Sequence, residues 1–364
     1  MRVALIANLK QNAPEVSGAG GDAWDDLDSP KTIDAILGAL RSGGHEAEFF
    51  EGRLDPPFDL VARLLDYTPD LCFNIAEGHF GIGREAHVPA VLEALRLPYT
   101  GSRVMTLALS LDKPMTKRVL HYHELPTPEF QVIGRVDEPL NEDLVAPSGD
   151  LRFPLFAKPS REGTGMGVSG KSIAETEAEL REVLSRLLER YRQPVLVERY
   201  IDGRELTVGV LGNLKPTAAR RLNDRTAPEI LPEELTFFPP MEIDTGAYGP
   251  EERGLYTGRI KVDLVDDFRY LCPAPVDPAL KERLELLTAA TFRVLGCHDV
   301  ARVDFRVDTQ GNPYILEINP LPGLNPGYSD LCIEAKAAGW EYPTLINGIV
   351  DAATARYATK EEQL

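Results

Sequence analysis

The first third of the chain switches repeatedly between short apolar runs and stretches with helical apolar spacing. "VALIAN" (3–8) reads as a strand, and a Gly/Asp-rich stretch follows up to residue 30. Ser29-Pro30 opens a helix, with proline in its first turn, and "TIDAILGALRSGG" continues it to a Gly43-Gly44 stop. "AEFFEG" and "DLCFNI" (70–75) read as the second and third strands, "HVPAVLEALRL" as a helix, and "PYTGS" as a short strand entering a turn. Such β–α alternation predicts an open parallel sheet with ligands at the carboxyl ends of its strands. Those ends carry Ala7-Asn8 and the loop "NIAEGHFGIGREA".

The texture changes near residue 112. "DKPMTKRVLHYHELPTP" predicts a helix stopped by Pro126 and Pro128, and "FPLFAKPSREGTGMGVSG" (153–170) a strand, a Gly-rich turn and a strand. "SIAETEAELREVLSRLLERY" is a long charged amphipathic helix, and "PVLVERYIDGRELTVGVLG" two strands about an Asp-Gly turn. The Pro/Glu-rich segment 223–255 reads as an irregular, mobile loop, and a helix over 278–296, a hairpin and a last helix complete the chain. The division this suggests is 1–112, a parallel α/β domain; 113–196, a central α+β subdomain; and 197–364, a C-terminal subdomain.

In the hairpin "ARVDFRVDTQGNPYILEINPLPG", period-two alternation puts Arg302, Asp304 and Arg306 on one face of the first strand. Folding at Gln310-Gly311 pairs Val303 with Ile318, Phe305 with Leu316 and Val307 with Tyr314, burying one apolar face. The same register sets Asp304 opposite Glu317 and Arg302 opposite Asn319. Like charges across a sheet repel, and half-buried carboxylates are costly unless paired or metal-bound. Two carboxylates and an amide oxygen are hard ligands of the kind Mg²⁺ accepts. The competing interpretation is an exposed face on which Arg302 and Arg306 neutralise the acids.

Composition narrows the partners. A net charge of −18 repels phosphate backbones, so nucleic acid is not expected, and no apolar run approaches a membrane span. Cys72, Cys272, Cys297 and Cys332 form no C-x-x-C pair, which predicts reduced thiols and no zinc or disulfide framework. With no signal-peptide pattern at the N-terminus, a cytoplasmic protein is expected. Any polyanion must therefore meet local positive charge. Gly163, Thr164, Gly165 and Met166 belong to a Gly-rich turn that can cradle phosphate, although the turn lacks the helix and Gly-Lys-Ser/Thr of a Walker A loop. Lys113, Lys158 and Lys261 accompany it. Glu198 and Glu205 have the spacing of groups that hold a ribose or an adenine amine. Each of these residues also has an ordinary surface or hairpin-loop interpretation.

Taken in order, these stretches resemble the ATP-grasp enzymes, and within them the D-alanine–D-alanine ligase family. The likeness rests on "LPYTGSRVMTLALSLDKPMTKRVL", "FPLFAKPSREGTGMGVS", "VLVERYIDGRELTVGVLGN", the hairpin and "AGWEYPTLINGIVDAA". It implies an ATP-grasp fold behind a Rossmann-like N-terminal domain, with ATP between the central and C-terminal parts. By position it assigns Lys113, Lys158 and Lys261 to ATP. Glu198, Tyr200 or Ile201, and Glu205 fall in the adenine–ribose pocket. Asp304, Glu317 and Asn319 match Mg²⁺ ligands for two ions, with Mn²⁺ able to substitute. Arg302 and the Gly323 N–H match an oxyanion-stabilising pair. A homodimer is also implied.

The implied reaction activates a carboxylate as an acyl phosphate, which an amine then attacks to form an amide. The substrate motifs depart from the family. Its "S-A-E-x-E-V-S" element is missing, and counting places Asp25 at the amine-orienting position, with Asp26 or Asp28 as alternatives. Glu77 replaces the histidine of "H-G-x-x-G-E-D-G", in the stretch that also carries Arg84. Val262 stands where a tyrosine follows the lysine, Thr164 replaces its serine partner, and Ser329 lies one residue beyond the carboxylate-binding serine. The expected function is an ATP-dependent ligase joining amino acids, or an amino acid and a small acid. The alternatives are D-alanine–D-alanine ligation for cell-wall precursors and an ATP-binding protein without ligase activity.

Overall fold

The computed structural model describes residues 1–15, 24–141, 144, 152–163, 165–215, 231–244 and 269–358. β1 (Arg2–Ala7), β2 (Glu46–Glu51) and β3 (Leu71–Asn74) form a parallel sheet in the order β2-β1-β3. A parallel bridge from Cys72 to Tyr99 extends it where "PYTGS" was expected to be extended. α1 (Pro30–Ser42) starts as predicted: Ser29 Oγ accepts from the Thr32 N–H and Pro30 occupies the first turn. α2 (Leu60–Tyr67) and α4 (Val104–Leu111) lie outside the predicted elements, while α3 (His87–Leu95) follows its periodicity.

α5 (Lys113–Tyr122) leads into an antiparallel sheet ordered β4-β7-β5-β6. Its strands are β4 (Phe130–Ile133), β5 (Leu155–Pro159), β6 (Ile173–Ala174) and β7 (Val195–Arg199), and α6 (Glu177–Tyr191) covers it. The strand expected directly after the Gly-rich turn is instead a helical turn, Gly170–Ser172, and then β6. β7 runs through the expected 196/197 boundary, because its apolar positions Val195 and Val197 belong to the central core.

The third sheet runs β11-β10-β8-β12-β13, with β9 paired to β8. It contains β8 (Gly203–Gly212), β9 (Leu235–Phe237), β10 (Met241–Asp244), β11 (Arg269–Leu271), β12 (Val300–Asp308) and β13 (Pro313–Asn319). β9 and β10 correct the irregular reading of 223–255. Leu235, Met241 and Ile243 are buried, which outweighs the neighbouring prolines and acids; the rest of that segment lies outside the described residues. α7 (Pro278–Val294) packs on one face of the sheet. α8 (Asp330–Ala337) and α9 (Tyr342–Tyr357) share a core with β1 and α1, so the two ends of the chain are packed together.

Candidate active site

The β12–β13 hairpin keeps the predicted register at its open end: Arg302 faces Asn319, Val303 faces Ile318 and Asp304 faces Glu317. A bulge then intervenes, and Phe305 faces Ile315 and Val307 faces Pro313, where Leu316 and Tyr314 were expected. The extra residue turns Leu316 out of the core, so that Leu316 and Glu317 both line a cavity while Ile315 and Ile318 stay buried. Backbone contacts fix the kink: the Ile315 N–H donates to Pro126 O at 2.8 Å, and Thr127 Oγ1 donates to Ile315 O at 2.8 Å.

The exposed-face interpretation of the hairpin holds only in part. Arg302 does meet Asp304 in a bidentate pair, with Nε at 2.8 Å and Nη2 at 2.9 Å, and its Nη1 lies 3.3 Å from Asp330. Arg306 instead turns to Glu205 at 3.3 Å, Tyr200 Oη at 3.0 Å and Ile201 O at 3.1 Å. The face is largely buried, not exposed. Asp304 also accepts from Thr207 Oγ1 at 2.7 Å and Asn319 Nδ2 at 2.9 Å, and Lys113 Nζ lies 3.0 Å from Glu317. With its amide nitrogen on Asp304, Asn319 keeps its oxygen for another donor or a cation. The Asp304, Glu317 and Asn319 oxygens are a hard donor set that fits a divalent cation.

The first cavity, about 110 Å³, lies between the central and C-terminal sheets. It is lined by Gly163, Gly165 and Met166 of the Gly-rich turn, by Tyr200, Ile201 and Glu205, and by Asp304. Thr164 and Lys261 lie outside the described residues. Lys158 and Glu198 also line it, with a neighbour that sequence reasoning missed. Lys117 is wholly buried, 2.7 Å from Thr127 Oγ1 and 2.9 Å from Glu198 Oε2, while Lys158 lies 3.0 Å from Glu198 Oε1. The Lys117 contact is a charge contact, not an aligned hydrogen bond. Burial opposes the Glu198 carboxylate, but the two ammonium groups together outweigh it and hold its pKa below the usual range. Burial pulls the Lys117 pKa down against the attraction of Glu198, whereas Glu198 and Glu317 keep that of Lys158 raised despite burial. Glu198 is thus a counter-ion that ties two lysines together. The missed signal was the helical spacing of Lys113 and Lys117 on α5, which brings two lysines to one site.

The second cavity, about 460 Å³, adjoins the first; Lys113, Gly163, Arg302, Glu317 and Asp330 line both. Its walls include Asn319, Gly323 and Ser329 from the C-terminal part and Asp25, Asp26, Asp28, Glu77 and Glu85 from the N-terminal domain. The N-terminal acids converge because Asn8, at the end of β1, bonds Gly52 O at 3.1 Å and the Gly78 N–H at 2.8 Å. Gly78 has φ +73°, and a Cβ there would collide with the Arg84 backbone. The three candidate acids of the 24–28 stretch differ sharply. Asp25 holds Lys10 at 2.6 Å and Asp26 holds Arg84 at 3.1 Å, whereas the Asp28 side chain makes no hydrogen bond or ion pair with another described residue. Arg84 lines neither cavity; it also donates to Arg161 O at 3.1 Å and so braces the Gly-rich region. Ser329 Oγ accepts from the Asn325 N–H at 2.9 Å. Glu85, together with Thr207 and Asp330, was not singled out by sequence reasoning, which offered Asp28 only as an alternative to Asp25 and Arg306 only as a neutralising neighbour of the hairpin acids.

The chain matches a family model described as D-ala D-ala ligase C-terminus over residues 119–237 and 241–351. It is 35% identical to the uncharacterized protein y4sG of Sinorhizobium fredii, covering 98% of each chain. It is 32% identical to the D-alanine–D-alanine ligase of Pelotomaculum thermopropionicum, covering 92% of this chain and 94% of the relative. The D-alanine–D-alanine ligase of Bacillus anthracis, solved in complex with ATP, superposes with a TM-score of 0.69 at 24% identity, covering 98% of each chain. The chain therefore belongs to the D-alanine–D-alanine ligase family and has the ATP-grasp fold. It is an ATP-dependent ligase that forms carbon–nitrogen bonds.

Proposed function

From this membership, we propose that the enzyme activates the carboxylate of an amino acid or small acid as an acyl phosphate. The amine of an amino acid then forms the amide, and D-alanine is not the preferred substrate. The observation that carries the reading is the junction of the two cavities at Lys113, Arg302 and Glu317; a nucleotide in one would there meet a carboxylate in the other. In the first step a carboxylate oxygen bonds the γ-phosphorus and the bond to ADP breaks. In the second the neutral amine attacks the acyl carbon, phosphate leaves and the amine proton is lost.

Lys158, with Glu198 shared between it and Lys117, presents positive charge to the phosphates, as does Lys113; Tyr200, Ile201 and Glu205 frame the base and ribose. The assignment of Lys261 to the phosphates and of Thr164 to the Gly-rich cradle belongs to the same reading. Asp304, Glu317 and Asn319 would hold Mg²⁺, as two ions or as Mn²⁺ in its place, which neutralises charge on the transferring group. Arg302 is positioned by Asp304 and Asp330 to face the developing oxyanion, with the Gly323 N–H as second donor. Of the acids, Asp28 is a better amine-orienting group than Asp25, because Lys10 already engages Asp25. Glu77 and Ser329 complete the substrate walls, and Arg84 acts through Asp26.

The altered substrate motifs favour an acceptor or donor other than D-alanine. The names of the relatives favour D-alanine itself, and that is the second reading. Purified enzyme, ATP, Mg²⁺ and a panel of D- and L-amino acids in pairs decide between them by ADP release and product mass. Turnover with D-alanine alone would overturn the first reading. A cytoplasmic homodimer is part of the same proposal, and light scattering on the eluting protein tests the oligomer.

A further inference from the structure

Resting on the ligase reading, we propose that one of the two substrates carries a second cationic amine, as a diamino acid or a diamine does, received by Asp28, Glu77 and Glu85. The proposal follows from how charge is paired around the second cavity. Among the described residues, each cationic side chain on its wall already faces a carboxylate: Lys10 meets Asp25, Lys113 meets Glu317, and Arg302 meets Asp330 and Asp304. After these pairings three carboxylates on the same wall have no hydrogen bond and no ion pair with any described residue: Asp28, Glu77 and Glu85.

One ammonium group, that of an ordinary α-amino acid, accounts for one such carboxylate. Two more in a half-buried setting are costly unless a further cation joins them. Among the described residues no group of three acidic, histidine or cysteine side chains is placed to hold a metal ion. An organic ammonium has the softer geometric demands that such a spread of carboxylates can meet. The protonation behaviour agrees with the geometry. Burial, with Asp26 repulsion added, pushes the Asp28 carboxyl up to about 7. Burial takes Glu85 to about 7 against the attraction of Arg84 and Lys113, and burial with Glu85 repulsion takes Glu77 well above the usual range. A second ammonium group relieves all three. The position that departs most plainly from the family motif, Glu77 for histidine, is one of them.

The test is ADP release by the full chain with saturating MgATP. Alanine, 2,3-diaminopropionate, ornithine and lysine, in both configurations, are presented in pairs with each other and with putrescine. The expected result is that the best pair contains a diamino compound, with kcat/KM at least tenfold above the best pair of neutral amino acids. Glu77→Gln and Glu85→Gln should each shrink that ratio, chiefly through KM for the diamino compound. A best pair made only of neutral amino acids, or a ratio unmoved in both variants, overturns the inference and leaves the ligase reading standing. ADP release with no pair overturns the ligase reading and the inference with it. If a variant does not fold, the wild type decides by calorimetry with MgATP present: tighter binding of 2,3-diaminopropionate than of alanine supports the inference, and equal binding overturns it.

Discussion

Lys117→Met tests whether the buried lysine pair acts as one unit. Lys117 is fully enclosed, and its ammonium sits 2.9 Å from Glu198 and 2.7 Å from Thr127 Oγ1. Removing one partner of a buried ion pair costs about 3–5 kcal/mol. Glu198 retains Lys158 at 3.0 Å, which places the expected loss near the lower bound, about 3 kcal/mol. At about 2–4 °C per kcal/mol for a unit of this size, the calorimetric transition should fall by about 6–12 °C. Thr127 also holds the bulge through Ile315 O, so Glu317 should be disturbed as well and the apparent KM for ATP should rise about tenfold. Glu198→Gln in the same background removes the carboxylate that Lys117 had shared with Lys158. The double variant should therefore be less destabilised than the sum of the singles by at least about 1 kcal/mol. A transition within 1 °C of wild type (on the order of the effect of a surface change), or strict additivity, would refute the reasoning.

The remaining expectations concern the metal ligands, the guanidinium, the acid wall and one close approach. Glu317→Gln keeps shape and removes a charge, so the Mg²⁺ concentration for half-maximal turnover should rise at least about tenfold; near-normal turnover at limiting Mg²⁺ would sink the assignment. Arg302→Lys loses the bidentate contact to Asp304, and kcat should drop by about 10²-fold with little change in the KM for ATP, as steady-state kinetics will show. The folded pKa of Asp28, about 7, is above its unfolded value of 3.8, so the folded state holds the proton longer and stability falls as pH rises between those values. Asp28→Asn should remove that slope, worth at most roughly 4 kcal/mol, in urea titrations at pH 4 and pH 8. Gly209→Ala would drive a methyl into Glu334 and Leu331 and should destabilise by about 1–3 kcal/mol, read from the urea midpoint.

Much of the scaffold is legible because it rests on local periodicity. The β1 strand, the Ser29 cap of α1 and the Val303–Ile318 end of the hairpin all follow from apolar spacing and cap chemistry. The bulge is not legible, because what selects it is a pair of contacts from Pro126 and Thr127, remote in sequence. α2 escapes for a different reason: Asp59 enters it in a left-handed conformation with no side-chain cap, so the usual start signal is missing. At the site, residue identity predicts candidate ligands but not partners. Asp25 and Asp28 look alike in the sequence, and Lys10 distinguishes them only in three dimensions. Glu198 reads as a group for the nucleotide until the two lysines beside it are seen.

The charges of the site divide by structural element, and the division has a consequence for specificity. The lysines and arginines that face the first cavity stand on α5, β5, β7 and β12, each matched by an acid of the two antiparallel sheets or an adjoining loop. Among the described residues, the acids of the second cavity without a paired cation stand on the N-terminal domain, in the 24–28 stretch and after β3. A phosphoryl donor is a polyanion and an attacking amine is a cation before it loses its proton, so the two cavities need opposite fields within a short distance. Keeping each field on its own element lets the amine side change without disturbing the nucleotide side. On the proposed reading this accounts for the departures at Glu77 and in the 24–28 stretch while Lys158, Glu198, Asp304 and Glu317 match the family pattern. It also explains how a chain of net charge −18 can bind a nucleotide. The acids in excess lie elsewhere, among them on the wall of the second cavity, while the cations lining the first cavity are matched pair by pair.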